Sequence, residues 1–395
     1  MKKILFALIL MALCLAACGP TMPAIKIDRH PEPVSYAELN TYAEPPKYDP
    51  YSQNPFQMDL RSADLSNLDL SQSRDDLFYA IFDSQTDWPA AGKMPADFDW
   101  RAIMETGKNP GLGVRKLHEQ GITGKGVGIA IIDQPLLVEH QEYAQQIRLY
   151  EEINLPSQRE AQMHAPAVAS IAVGKTIGVA PDADLYFFAT LPRIFDDQGN
   201  SAYDFADFAQ AIHRVMEINA QLPAERKIRA ISLSYGWFEK DKGYAEITAA
   251  VNKARRAGIL VIYSDPKAFL GAGRAPLRDP DDFQAYEPGL LWAARFYANP
   301  GLSIPLLVPM DSRTTASPTG KDEYVFYPMG GMSWAIPYIA GMYALAAQVA
   351  PAITPDKFWK LAIETGQTIE ILHKGQTYQL GPILDPAALI AALQR

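Results

Sequence analysis

Gly121-Ile122-Thr123-Gly124-Lys125-Gly126-Val127-Gly128-Ile129-Ala130-Ile131-Ile132-Asp133 is a glycine-punctuated approach, an unbroken apolar run from Val127 to Ile132, and then a carboxylate. An apolar run of strand length with no polar alternation reads as a strand buried on both faces. The same pattern returns from Asp184 to Ala189, Ile228 to Ser234 and Ile259 to Ser264, with amphipathic helical stretches such as Phe205 to Glu217 and Tyr244 to Ala257 between. Buried strands alternating with helices predict an α/β fold: a parallel sheet covered on both faces by helices, in three layers. In such sheets the reacting groups sit at the carboxyl ends of the strands. Taken alone, an Asp that closes a strand is as readily a turn or cap residue as a reactive one. Two more helices are marked near the end by Thr354-Pro355 and Asp385-Pro386, each a cap residue followed by Pro at the first helical position.

Composition narrows the function classes. A net charge of −9 argues against nucleic acid as a partner, because such binders need a basic face that releases counterions from phosphates. The only two cysteines, Cys14 and Cys18, precede residue 20, so the folded body contains neither an internal disulfide nor a thiolate metal cluster.

Those cysteines lie in a segment with its own logic. Lys2 and Lys3 precede the apolar run Ile4 to Leu13, which is short for a bilayer span and reads as a signal peptide over residues 1–18. Leu15-Ala16-Ala17-Cys18 resembles the lipobox of bacterial lipoproteins. That resemblance implies a lipidated, palmitate-bearing Cys18 and a body held extracytoplasmically at the bacterial envelope. Residues 19–96 read as an N-terminal tether and extension. The Pro- and Tyr-rich stretch from Gly19 to about Pro55 lacks periodicity and is expected to be flexible. Asp59 to Leu70 looks like two or three turns of a pentapeptide repeat, too few to bury a core alone and so expected to pack on the main domain of residues 97–395.

Six histidines are available as a base. His30 lies in the expected tether, His118 and His213 fall on polar helical faces, and His373 borders a turn, which leaves His140 and His164. His164-Ala165-Pro166-Ala167-Val168-Ala169-Ser170-Ile171-Ala172, followed by Ile177-Gly178-Val179-Ala180-Pro181, is a helix of small residues opened by an imidazole. Gly331-Met332-Ser333-Trp334-Ala335-Ile336-Pro337-Tyr338-Ile339-Ala340-Gly341 places a hydroxyl where a helix begins, with free N–H groups and the positive dipole end beside it. Pro337 is expected among first-turn N–H groups that lack intrahelical partners.

Together with the strand that ends at Asp133, these two motifs resemble the subtilase family of serine peptidases, in its order Asp, His, Ser. The resemblance runs from about Gly111 to Thr365. It implies a subtilisin-like fold, a triad of Asp133, His164 and Ser333, a structural role for His140, and a protein or peptide substrate hydrolysed through an acyl-enzyme. It also implies that Ser234-Tyr235-Gly236 binds an extended substrate by strand addition. No cofactor is implied for catalysis. Members often carry structural calcium, but the sequence identifies no calcium-binding residues.

The pattern departs from the family at the oxyanion hole, where members supply an Asn side chain. No Asn lies between Asn252 and Asn299, and the matching position falls on Lys267 or, after a two-residue shift, Asp265. Losing one such donor lowers turnover by about 10²–10³. Two readings follow: an active serine endopeptidase of the envelope, and a weakly active or inactive subtilase-fold protein that binds peptides.

Overall fold

The computed structural model describes residues 25–52, 54, 56–155, 160–195, 201–299 and 301–395. The expected signal peptide and Cys18 lie outside the described residues. At the centre is a six-stranded sheet of β1 (Lys26–Ile27), β2 (Gly128–Asp133), β3 (Ile147–Glu152), β4 (Asp184–Ala189), β5 (Ile228–Leu233) and β6 (Leu260–Tyr263). Its order is β1-β3-β4-β2-β5-β6, and every pairing is parallel. The strands are buried because each face carries helices. Ile129 and Ile131 point into a core with α1 (His164–Val173) and α4 (Met332–Val349). Ala130 and Ile132, one residue out of phase, point into the opposite core with α2 (Ala206–Gln221) and α3 (Tyr244–Arg256). The expected three layers are therefore present.

A second, mixed sheet lies beyond β6. It contains β7 (Phe269–Arg274), β8 (Tyr286–Pro288), β9 (Leu306–Pro309), β12 (Gln367–His373) and β13 (Gln376–Ile383), in the order β8-β7-β9-β13-β12. Between β9 and β12, β10 (Arg313–Ala316) and β11 (Tyr324–Tyr327) pair antiparallel. The β12–β13 hairpin falls between the two expected closing helices, Pro355–Glu364 and Pro386–Leu393, and the sequence reading contained no strand there. Its turn is Lys374-Gly375, both left-handed at φ 48° and 80°. A two-residue hairpin needs that conformation, and Lys in place of the usual Asn or Asp hides the signal.

The expected tether takes a different form from Lys26 onward. β1 pairs with β3 at the sheet edge, and the Arg29 guanidinium reaches both carboxylate oxygens of Glu152, the nearest contact being 2.7 Å. The Val34 N–H donates to the Pro318 carbonyl at 3.1 Å. An open parallel edge presents unpaired N–H and C=O groups, and this strand satisfies them.

The pentapeptide-like segment packs as expected. Leu60, Leu65 and Leu70, five residues apart, are fully buried. Immediately before them, Asp59, Asp64 and Asp69 each accept a hydrogen bond from the N–H two residues on, at 3.2, 3.0 and 3.1 Å. These Asx turns bend the chain so that every fifth side chain returns inward. The extension is also continuous with the body, because Phe82–Asp83 pairs antiparallel with β11. Residue 97 is consequently no boundary between separate cores: Leu65, Ile103 and Phe326 share one.

Candidate active site

Parallel strands bring their last residues to one edge, and three of the sequence-derived candidates sit there. Asp133 ends β2, Ser234-Tyr235-Gly236 follows β5, and Asp265 follows β6 by two residues. The edge stays tightly laced past the strands, with Thr190 N–H donating to the Asp133 carbonyl at 2.8 Å and Ser264 N–H to the Tyr235 carbonyl at 2.9 Å.

Asp133 is fully buried. Its Oδ1 accepts from the Gln134 N–H at 2.8 Å and lies 2.7 Å from Nδ1 of His164. Since Gln134 N–H and an ionised carboxylate leave only one role for Nδ1, that nitrogen carries the proton and donates it. Nε2 then holds the lone pair. Oδ2 of Asp133 is buried without a hydrogen-bond partner among the described residues, and Oδ1 takes both of the carboxylate's contacts there.

His164 is the first residue of α1, which lies close to the sheet because Ala165, Ala167, Ala169 and Ala172 present almost no bulk. The segment after it folds back onto it, with Val179 N–H donating to the Ile171 carbonyl at 3.0 Å and Ala180 N–H to the Ala172 carbonyl at 2.9 Å. The imidazole is flanked by the rings of Trp334 at 5.5 Å and Tyr235 at 6.1 Å.

Ser333 is the second residue of α4 and is half-buried. Its neighbour Trp334 is the ring beside His164, so the helix start reaches the imidazole. No hydrogen bond joins the Ser333 hydroxyl to His164 among the described residues. Catalytic bonds of this kind are often long before substrate binds. The Ser333 N–H likewise donates to no acceptor among the described residues, as expected for an N-terminal helical amide.

The expectation for Pro337 needs correction. Pro337 is the sixth residue of α4, beyond the first turn, and the N–H it lacks is the one that would bond the carbonyl four residues back. That carbonyl belongs to Ser333. It is satisfied instead by the Ser234 hydroxyl, which donates to it at 3.3 Å. Ser234 thereby links the strand edge to the helix that carries Ser333. Gly236 passes close to the β6 exit, where an added Cβ would stand 3.2 Å from the Ser264 carbonyl oxygen.

Asp265 is partly buried, and its Oδ1 accepts from the Lys267 N–H at 3.0 Å while its carbonyl accepts from Ala268 at 3.0 Å. Its side-chain contact is thus one of acceptance within an Asx turn. Lys267 is exposed. His140 is buried, with Nδ1 accepting from Glu142 N–H at 3.2 Å and Nε2 donating to the Glu323 carbonyl at 2.8 Å. Burial holds its pKa below the ordinary histidine value, so it is a neutral structural group. Among the described residues no group of three or more His, Cys, Asp or Glu could hold a metal ion.

Two contributors escaped the sequence reading. Trp334 faces His164 from within the serine motif, and Asp311 accepts the Gly330 N–H at 3.0 Å, directly ahead of that motif. Asp311 stands in Val308-Pro309-Met310-Asp311-Ser312, a stretch with no motif or spacing to single it out.

Residues 124–265 match the model of the subtilase family, Peptidase S8. The matched segment holds Asp133, His164, Ser234-Tyr235-Gly236 and Asp265, and ends before Ser333. Among solved structures, the chain is similar to the prenylagaramide maturation protease PagA at 16% identity and a TM-score of 0.47, over 71% of this chain and 98% of that one.

Proposed function

From a chain that carries a subtilase-family segment at residues 124–265, we propose a serine endopeptidase acting through Asp133, His164 and Ser333. The observation that carries the reading is the 2.7 Å bond from His164 Nδ1 to a fully buried carboxylate, with the imidazole 5.5 Å from the ring of Trp334, the residue next to Ser333. Nε2 takes the Ser333 proton as the hydroxyl oxygen attacks a peptide carbonyl, and returns it to the leaving amine. Water, deprotonated by the same nitrogen, then hydrolyses the acyl-enzyme. Asp133 remains ionised, orienting the ring and stabilising its charged form.

The Ser333 N–H, unpaired among the described residues and at the positive end of α4, is the donor for the developing oxyanion. Ser234-Tyr235-Gly236 receives the substrate backbone. A second reading, a weakly active peptide-binding protein, is favoured by one contact: Asp265 accepts a hydrogen bond where the family has a donor.

Treatment of the full chain, in detergent, with a fluorophosphonate tests both. Labelling that disappears in Ser333→Ala supports the peptidase, and no Ser333-dependent labelling refutes it. We also assign Cys18 as a lipidated residue that anchors the protein at the bacterial envelope, on the lipobox-like Leu15-Ala16-Ala17-Cys18. Metabolic labelling with a palmitate analogue, lost in Cys18→Ser, is the expected result; equal labelling of both forms refutes the anchor.

A further inference from the structure

We propose that Asp311 is a positioning residue for the nucleophile, a clamp that joins the loop leading into Ser333 to the neighbouring Gly289–Leu291 segment. The inference rests on the assignment of Ser333 as nucleophile. Asp311 lies just past the end of β9 and is 3% exposed. Oδ1 accepts the Gly330 N–H at 3.0 Å, and Oδ2 accepts the Leu290 N–H at 2.8 Å.

The surroundings are built to admit this contact. A Cβ on Gly330 would lie 2.3 Å from the Met310 carbonyl oxygen, one on Gly289 2.5 Å from Met310 Cε, and one on Gly273 3.2 Å from Asp311 Oδ2. Three glycines thus let separate segments close around residues 310 and 311. The next residue, Gly331, has φ +71°, with Leu291 Cδ1 3.8 Å from where its Cβ would be. The turn that places Ser333 at the head of α4 is therefore held at Gly330 by Asp311 and bordered at Gly331 by Leu291.

A carboxylate suits this position because its two oxygens accept from two amides at once, whereas an amide or a neutral acid offers a donor to one of them. Asp311 makes no ion pair among the described residues. Nearby Arg274 is turned to the carbonyls of Pro276 and Ser312, at 3.2 and 2.9 Å. The other charged groups around it, lining an adjacent cavity of about 770 Å³, are Arg74, Asp75, Asp97, Arg278 and Glu287. Burial pushes the Asp311 carboxyl up to about 7, Glu287 adds to the rise, and the two N–H groups oppose it. The clamp is closed when Asp311 is ionised and loses one amide when it is protonated.

The test is the pH dependence of fluorophosphonate labelling of the full chain in detergent, from about pH 5 to about pH 8, with near-UV circular dichroism reporting the fold. In the wild type the clamp closes as Asp311 ionises, so the rate is expected to rise by roughly tenfold more across this range than in a form that lacks this titration. Asp311→Asn removes that titration, and the extra tenfold rise is lost. Its rate at neutral pH is expected to fall roughly tenfold, short of the hundredfold that a 1 Å misplacement can cause. A lower rate with a pH profile unchanged from the wild type marks a merely structural residue and overturns the proposal. If Asp311→Asn does not fold, Asp311→Glu takes its place: a shifted pH profile is expected, and one identical to the wild type overturns the proposal. Labelling that survives Ser333→Ala, or no labelling at all, overturns the peptidase reading and this inference with it, whereas Ser333-dependent labelling with the same pH profile in wild type and variant overturns only the clamp.

Discussion

Gly341→Ala adds one methyl group where α4 faces Val179 and the Ala172 carbonyl of α1. The new Cβ would stand 2.6 Å from Cβ and 2.9 Å from Cγ1 of Val179, and 3.3 Å from the Ala172 carbonyl oxygen. Carbon atoms pack best at about 3.5–4.0 Å, so the contact must open by about 1 Å. Val179 cannot yield alone, because its N–H is bonded to the Ile171 carbonyl of α1 at 3.0 Å. The helices must separate instead. α1 begins with His164, and α4 carries Ser333 two turns before Gly341. Overpacking costs about 1–3 kcal/mol, offset by about 1 kcal/mol from replacing glycine inside a helix. The net loss of stability is therefore expected to be no more than about 2 kcal/mol, while Ser333 labelling falls by up to about 10² because a 1 Å displacement lies at the reacting groups. Urea denaturation and labelling rates measure the two effects. Val179→Gly, which removes both clashing carbons along with about 2.4 kcal/mol of burial, should recover most of the labelling when combined with Gly341→Ala. Unchanged labelling in Gly341→Ala, or purely additive losses in the double variant, would refute the claim that this contact sets the spacing of base and nucleophile.

Asp133→Asn keeps the shape of the carboxylate but favours the wrong imidazole tautomer, and should lower kcat for a peptide substrate by about 10⁴; a loss below tenfold would contradict the role given to Asp133. Asp265→Asn supplies an N–H donor while its oxygen can still accept from Lys267, and should raise kcat by at least tenfold if this position faces the oxyanion; an equal kcat in Asp265→Asn and Asp265→Ala would exclude it. Leu65→Ala opens a cavity in the core that the extension shares with Ile103 and Phe326, with an expected loss of about 2–5 kcal/mol in urea denaturation; a change below 1 kcal/mol would mean the coil is loosely packed. Stability should also depend on pH through Asp311. Its folded-state value of about 7 lies above the unfolded one, so this contribution is fully present below about pH 4 and is lost as pH rises through about 7, to roughly 4 kcal/mol. The melting temperature of Asp311→Asn relative to wild type should accordingly rise between about pH 5 and about pH 8, and a flat difference would refute the buried titration.

Much of the site was legible because subtilase-like local patterns carry their own physical constraints. An apolar run that ends in Asp133, a small-residue helix that opens with His164 and a Gly-Met-Ser helix start each record what a buried sheet and close helix packing require. The Leu60-Leu65-Leu70 spacing likewise announced a coil that could not stand alone. What stayed hidden was long-range pairing. The edge strand at Lys26 depends on an unpaired partner at Leu149, and the Lys374-Gly375 hairpin on a backbone conformation that Lys does not advertise.

By itself, the sequence determined which groups could react and that parallel strands would deliver them to a common edge, since period, residue size and turn chemistry are local properties. Only the tertiary structure decided that Pro337 frees the Ser333 carbonyl for Ser234, that Gly341 lies against Val179 and the Ala172 carbonyl, and that Asp311 accepts from Gly330. Each of these joins residues far apart along the chain, and such contacts exist only once packing has brought the segments together, because a side chain's partner is chosen by position in space and not by its neighbours in sequence.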